Sequence, residues 1–132
     1  MYASTNQASR AYSSSAAEHV TDSADGYTLI RSLLSKLLAR LGMARHGIEA
    51  KDFAMKGEQI GKAIETVNLL QVAIDESHDA TLAGNLVSLY DYMSRQLLKA
   101  NLHNDVAILD EVIDLVREIK SAWDAIGENK NG

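Results

Sequence analysis

The chain has 132 residues and a formal net charge of −5, with 46% hydrophobic and 23% charged residues, no proline and no cysteine. That length favours one domain with a substantial core, since a chain of this size buries roughly two-thirds of its unfolded surface. The missing cysteines exclude disulfides, thiolate catalysis and cysteine-held metals; the acidic balance argues against a nucleic-acid partner; and no run reaches the roughly 18 apolar residues of a membrane span, so no membrane insertion is expected.

Residues 1–23, MYASTNQASRAYSSSAAEHVTDS, are rich in serine and alanine, with Tyr12 and Val20 as the apolar side chains of any size beyond the first residues. Such a segment buries too little to offset its ordering entropy, and it reads as a mobile tail that docks weakly. It lacks the apolar core of a signal peptide, so a cytoplasmic protein is expected.

From Ala24 the pattern is helical. Ile30, Leu33, Leu34, Leu37, Leu38, Leu41 and Ala44 recur at three- and four-residue steps, on one face of a helix reaching about Ile48. Asp22 or Ser23 suits its N-cap, and Gly47 is expected to loosen its end. Asp52 reads as the N-cap of a second helix, with the stripe Phe53, Ile60, Ala63, Ile64, Val67, Leu70, Gln71 and Ile74. Gly57 and Gly61 mark either a close helix–helix approach or simple tolerance at about 1 kcal/mol each relative to alanine.

Asp75 to Thr81 has no periodicity and reads as a loop. The third helix places Leu82, Leu86, Leu89, Tyr90, Met93, Leu97 and Ala100 on one face. The corner Asn101-Leu102-His103-Asn104-Asp105 stops it, with Asn104 suited to cap the fourth helix. That helix has the stripe Leu109, Val112, Ile113, Val116, Ile119, Trp123 and Ile126, widened by Ile108 and Leu115 and ended by Gly127. The pattern predicts an all-α, antiparallel four-helix bundle over residues 24–127, a mobile N-terminal tail or short extra helix over 1–23, and a disordered tail over 128–132.

Charge is distributed unevenly. The first helix carries Arg31, Lys36, Arg40 and Arg45; the fourth carries Asp105, Asp110, Glu111, Asp114, Glu118 and Asp124 against Arg117 and Lys120. Two separately solvated faces are the expectation, with complementary neighbouring helices as the other reading, since exposed pairs contribute little.

Catalytic patterns are missing. A di-iron bundle needs two Glu-x-x-His pairs, and the nearest spacing is a single Asp75-x-x-His78. His19, His46, His78 and His103 fall in the tail, at helix ends or in turns. There is no Gly-x-Ser-x-Gly, and the glycines of KGEQIG lack the Lys-Ser/Thr of a phosphate loop. Asp91, between two tyrosines, reads as an exposed carboxylate. No enzyme, metal or cofactor is expected; a bundle enzyme would need converging carboxylates and histidines. What remains is spare apolar surface. Val87, Tyr92 and Leu98 on the third helix, and Tyr27 and Leu29 on the first, fall beside the main stripes and either widen the core or line a groove for a partner.

The stretch NLVSLYDYMSRQLLKANLHNDVAILDEVIDLVREIKSAW resembles the C-terminal half of the flagellin export chaperone family, known as FliS. DFAMKGEQIGKAIETVNLLQVAID is similar to its second helix, and Tyr12 followed by the Leu29-Ile30 pair fits its N-terminal part. The resemblance spans roughly residues 10–126. It implies a four- or five-helix bundle that binds the disordered C-terminal region of new flagellin in the bacterial cytosol. Such a protein prevents premature polymerisation and delivers its client to the flagellar type III export gate, using no cofactor. It also implies partner-binding roles for Tyr12 as a tail anchor, for Leu29, Ile30 and Leu33, and for Tyr90, Tyr92, Met93 and Leu97. The free protein is expected to be a monomer or weak homodimer. The family's proline before the leucine-isoleucine pair is absent, Leu34-Ser35-Lys36 replaces an aromatic-Asp-Gly, and Ser77-His78-Asp79-Ala80 replaces a Gly-Gly-Glu loop. A divergent paralogue with another flagellar or secreted client or regulator is the alternative.

Overall fold

Three aspartates set where three of the four helices begin. In the computed structural model, which describes residues 24–75, 77 and 79–131, the helices are α1 (Ala24–Glu49), α2 (Phe53–Val72), α3 (Ala80–His103) and α4 (Val106–Asn131). The Asp52 carboxylate accepts the Met55 N–H at 3.1 Å, and the Asp79 carboxylate accepts the Leu82 N–H at 3.0 Å. Each satisfies one of the amide donors that a helix start leaves unpaired.

At the corner between α3 and α4 two neighbours divide the work. Asn104, expected to cap α4, instead ends α3 in the left-handed region at φ 52°, its N–H bonded to the Ala100 carbonyl. Asparagine tolerates that backbone better than most residues. Asp105, one residue on, caps α4 through the Ala107 and Ile108 amides at 3.0 and 3.3 Å.

Cross-helix bonds fix an antiparallel ring. Arg40 meets Gln59 and Lys56 meets Asn101; Gln71 meets Val87 and Asp91; Tyr92 meets Glu111; Arg45 meets Asp110 and Arg31 meets Asp124. Packing runs α1–α2, α2–α3, α3–α4 and α4–α1, with no diagonal pair among the described residues. Leu34, Leu37, Leu41, Ile60, Val67, Met93, Leu97, Leu109, Val112 and Val116 are fully buried at the centre. This is the all-α bundle that the periodicity predicts.

The close approach between α1 and α2 lies at Gly47, not at Gly57 or Gly61. A Cβ on Gly47 would stand 3.0 Å from the Lys56 backbone nitrogen and 3.1 Å from the Asp52 carbonyl oxygen. Gly61 has open space beside it, and a Cβ on Gly57 would meet only the Asn101 side chain, at 3.9 Å. Gly47 therefore serves packing at the end of α1.

The α1–α4 seam corrects the expectation of two solvated faces. Arg31 pairs with Asp124 at 2.8 Å and Arg45 with Asp110 at 2.7 Å, while Lys120 joins Asp124 at 2.9 Å and Glu49 joins Arg45. The hydrogen bond from Arg45 holds the Asp110 carboxyl below its ordinary range, and that from Lys120, with Arg31 nearby, does the same for Asp124. The rings of Tyr27 and Trp123 lie 5.7 Å apart beside these pairs. α4 runs through Gly127 to Asn131 rather than stopping at the glycine, and the Tyr27 ring occupies the space next to Gly127.

Candidate partner-binding surface

Spacing along the helices shows which residues line each seam of the ring. On α3, Leu82, Leu89 and Gln96 recur at seven-residue steps and share a flank with Tyr92. Tyr92 Oη donates to Glu111 Oε1 at 2.6 Å and Gln96 Nε2 to the same oxygen at 3.3 Å, so this flank faces α4. The hydrogen bond to Glu111 raises the Tyr92 hydroxyl above its ordinary pKa. On α4 the flank of Glu111 continues through Ile108, Leu115, Ala122 and Ile126. Leu82 is 56% exposed and Ile126 45%; Leu86, Leu89, Ile108 and Leu115 are half-buried against the core. The α3–α4 seam is thus an apolar strip that the fold leaves partly open to water.

A second strip follows α1–α2. Arg40, bonded to Gln59 at 3.3 Å, and Gly47, packed on Lys56, identify the flank of α1 that faces α2. Leu29, Leu33 and Met43 lie on that flank, opposite Met55, Thr66 and Leu69 on the flank of α2 that carries Gln59. Leu29 is 41% exposed and Leu69 50%. In the order α1–α2–α3–α4 the two strips occupy opposite sides of the bundle.

The residues expected to bind a partner separate into three groups. Leu29 is exposed, Leu33 and Tyr92 are half-buried, and all three lie on the strips. Ile30, Tyr90, Met93 and Leu97 are core: their exposures are 6%, 3%, 0% and 0%, so they offer a partner almost no surface in this conformation. Burial alone raises the Tyr90 hydroxyl to about 12. Tyr12 lies outside the described residues. Conversely, Phe53, Leu82 and Ile126, expected in the core stripes, are exposed: Phe53 and Leu82 sit in the first turns of their helices and Ile126 near the end of α4, where the stripe outruns its cover. Leu69 was not singled out by the sequence; its position is the signal, since successive helical residues point about 100° apart and Leu69 falls on the outer side of the stripe that Leu70 anchors.

Chemistry of the catalytic kind finds little footing. Asp91 is exposed and accepts a hydrogen bond from Gln71 at 2.9 Å. Among the described residues no group of three or more histidine, aspartate or glutamate side chains could hold a metal ion, and no helix is long and apolar enough to cross a membrane.

The family profile described as "Flagellar protein FliS" matches residues 6–130. The chain belongs to the FliS family. It is similar to the flagellar secretion chaperone FliSB of Pseudomonas aeruginosa, at 40% identity over 120 residues, covering 91% of this chain and 95% of that one. It is also similar to the flagellar secretion chaperones FliS of Vibrio cholerae, at 32% identity over 89% of this chain and 86% of that one, and of Salmonella typhimurium, at 38% identity over 89% and 87%. These FliS relatives are named as chaperones, proteins that bind rather than catalyse, and the chain is not an enzyme. The matched span takes in α1 to α3 and all of α4 but its last residue, so both strips lie within the match.

Proposed function

We propose that this FliS-family chain is a cytoplasmic export chaperone that holds the disordered C-terminal region of flagellin, blocks its premature polymerisation and brings it to the flagellar export gate. The observation that carries this reading is the pair of part-exposed apolar strips on opposite sides of the bundle. A single rigid helix covers one seam. Only a long, pliable segment reaches both, laying an amphipathic stretch into α3–α4 and another along α1–α2. A client that orders on binding gives up about 2–5 kcal/mol in chain entropy, which two shallow strips offset better than one small pocket.

Titration calorimetry of the folded chain with the C-terminal segment of the host's flagellin tests the proposal. A stoichiometric complex with a negative heat-capacity change is expected, since apolar burial gives that sign. A folded chain that fails to bind this segment overturns the flagellin assignment and directs the search to another flagellar or secreted client.

A further inference from the structure

We infer that the end of the α2–α3 seam nearest the α1–α2 and α3–α4 turns is a second docking surface, shaped for an acidic amphipathic helix of a partner protein. It is separate from the two strips and does not depend on the flagellin reading.

Lys56 organises this corner. It is buried, its Nζ donates to the Asn101 carbonyl at 2.9 Å, and it lies 5.7 Å from the centroid of the Phe53 ring. Asn101 is in the last turn of α3, where carbonyls lack helical partners, so a buried ammonium there is compensated by the end of the helix. This tie sets the first turn of α2 beside the last turns of α3. Phe53 stands exposed on one side; Leu98 and Leu102, one turn apart on either side of Asn101 in sequence, stand exposed on the other. Gly57, which faces the Asn101 side chain, adds no side chain of its own between them.

The rim is basic in a chain whose net charge is −5. Arg95 and Lys99 share the outer face of α3 with Leu98 and Leu102 at three- and four-residue steps, and Lys51 sits in the left-handed turn just before α2. None of these three cations has an ion-pair partner among the described residues. The neighbouring Asp52 is engaged by the Met55 amide and Asp91 by Gln71. Apolar anchors one turn apart accept leucines at three- and four-residue spacing, and carboxylates flanking those leucines meet the unpaired cations. Complementary charge is what selects an acidic partner over a neutral or basic one.

A synthetic helix of about 18 residues, with leucines at i, i+3, i+4 and i+7 and glutamates beside them, is a suitable probe, being long enough to present a full apolar face. Its control carries lysine for every glutamate. Each is titrated into the full chain by calorimetry, with circular dichroism confirming that every variant is folded. The glutamate helix is expected to bind, more weakly as salt rises. R95E/K99E should weaken it about tenfold or more by turning attraction into repulsion. L98S/L102S should weaken it, and L82S/I126S on the α3–α4 strip should leave it unchanged. Equal binding of the lysine helix, full affinity in R95E/K99E, or loss of binding in L82S/I126S would overturn the assignment. So would a patch that R95E/K99E shows to be taken instead by an RNA oligonucleotide, by phosphatidylserine vesicles or by a second copy of the chain.

Discussion

The Tyr27 ring lies against the backbone of Gly127, in the space that a Cβ at that position would need. One residue at the start of α1 and one near the end of α4 thus fit only because the second has no side chain. Gly127→Ala is expected to push Tyr27 away from Trp123, whose ring is 5.7 Å distant. Trp123 is the one tryptophan in the chain, so its fluorescence reports the displacement directly. An unchanged emission spectrum would show that the aromatic pair does not depend on the glycine.

Glycines in the same fold should respond differently to alanine. Gly47→Ala places a methyl 3.0 Å from the Lys56 backbone nitrogen and 3.1 Å from the Asp52 carbonyl, and backbone atoms yield less readily than a side-chain tip. A loss of about 1–3 kcal/mol is expected from such overpacking. Gly61→Ala, with open space beside it, is expected to gain up to about 1 kcal/mol from helix propensity. Chemical denaturation of both variants checks the contrast, and equal effects would contradict it.

Tyr90 makes stability fall in alkali. Its hydroxyl titrates near 10.0 in an unfolded chain and at about 12 in the bundle, because burial disfavours the phenolate. A pKa raised by folding gives stability that is complete below the unfolded value and is lost as pH climbs through the folded one. The loss should therefore develop between pH 10 and about 12, with a size on the order of 2–3 kcal/mol. Tyr90→Phe removes that component, so its denaturation midpoint should depend less on pH across this window than that of the parent.

The α1–α4 ion pairs act at the other extreme. Asp110 and Asp124 both have carboxyls held below the ordinary 3.8, by Arg45 and by Lys120 with Arg31. Groups lowered by folding contribute stability above the unfolded value and lose it as pH falls through the folded one. Acid unfolding followed by far-UV circular dichroism should set in at higher pH in Arg45→Gln than in the parent. A matching acid transition would mean that this seam does not contribute to acid resistance.

Binding and stability should separate cleanly between the strip and the core. Leu82→Ser with Ile126→Ser changes two half-exposed side chains, so unfolding should shift by about 1–3 kcal/mol in total, with the chain still folded, while flagellin-segment binding weakens. Leu109→Ala empties a fully buried position and should cost about 2–5 kcal/mol. Unfolding of the double variant would place Leu82 and Ile126 in the structural core instead.

Most of the helix boundaries and the central stripe were legible in the sequence because three- and four-residue spacing decides which face turns inward. What that spacing omits is the position of the neighbouring helix. Spacing places Ile30, Tyr90, Met93 and Leu97 on the inward stripes, where they are indeed covered, and only the family resemblance gave them partner roles; Phe53, Leu82 and Ile126 share those stripes and are open. The pairing of Arg31 with Asp124 and Arg45 with Asp110 needed α1 beside α4, a choice that local pattern leaves undecided. The division between Asn104 and Asp105 rested on a single left-handed residue, which no periodicity reveals.

Because α1 and α4 are antiparallel, the start of one and the end of the other lie at the same end of the molecule. A force drawing Ala24 and Asn131 apart would unzip this seam turn by turn instead of shearing it at once. The Tyr27–Trp123 contact would give way first, then Arg31–Asp124, and Arg45–Asp110 last. The seam would resist pulling weakly but repeatedly, opening in steps, and could close again in reverse order when the load is released.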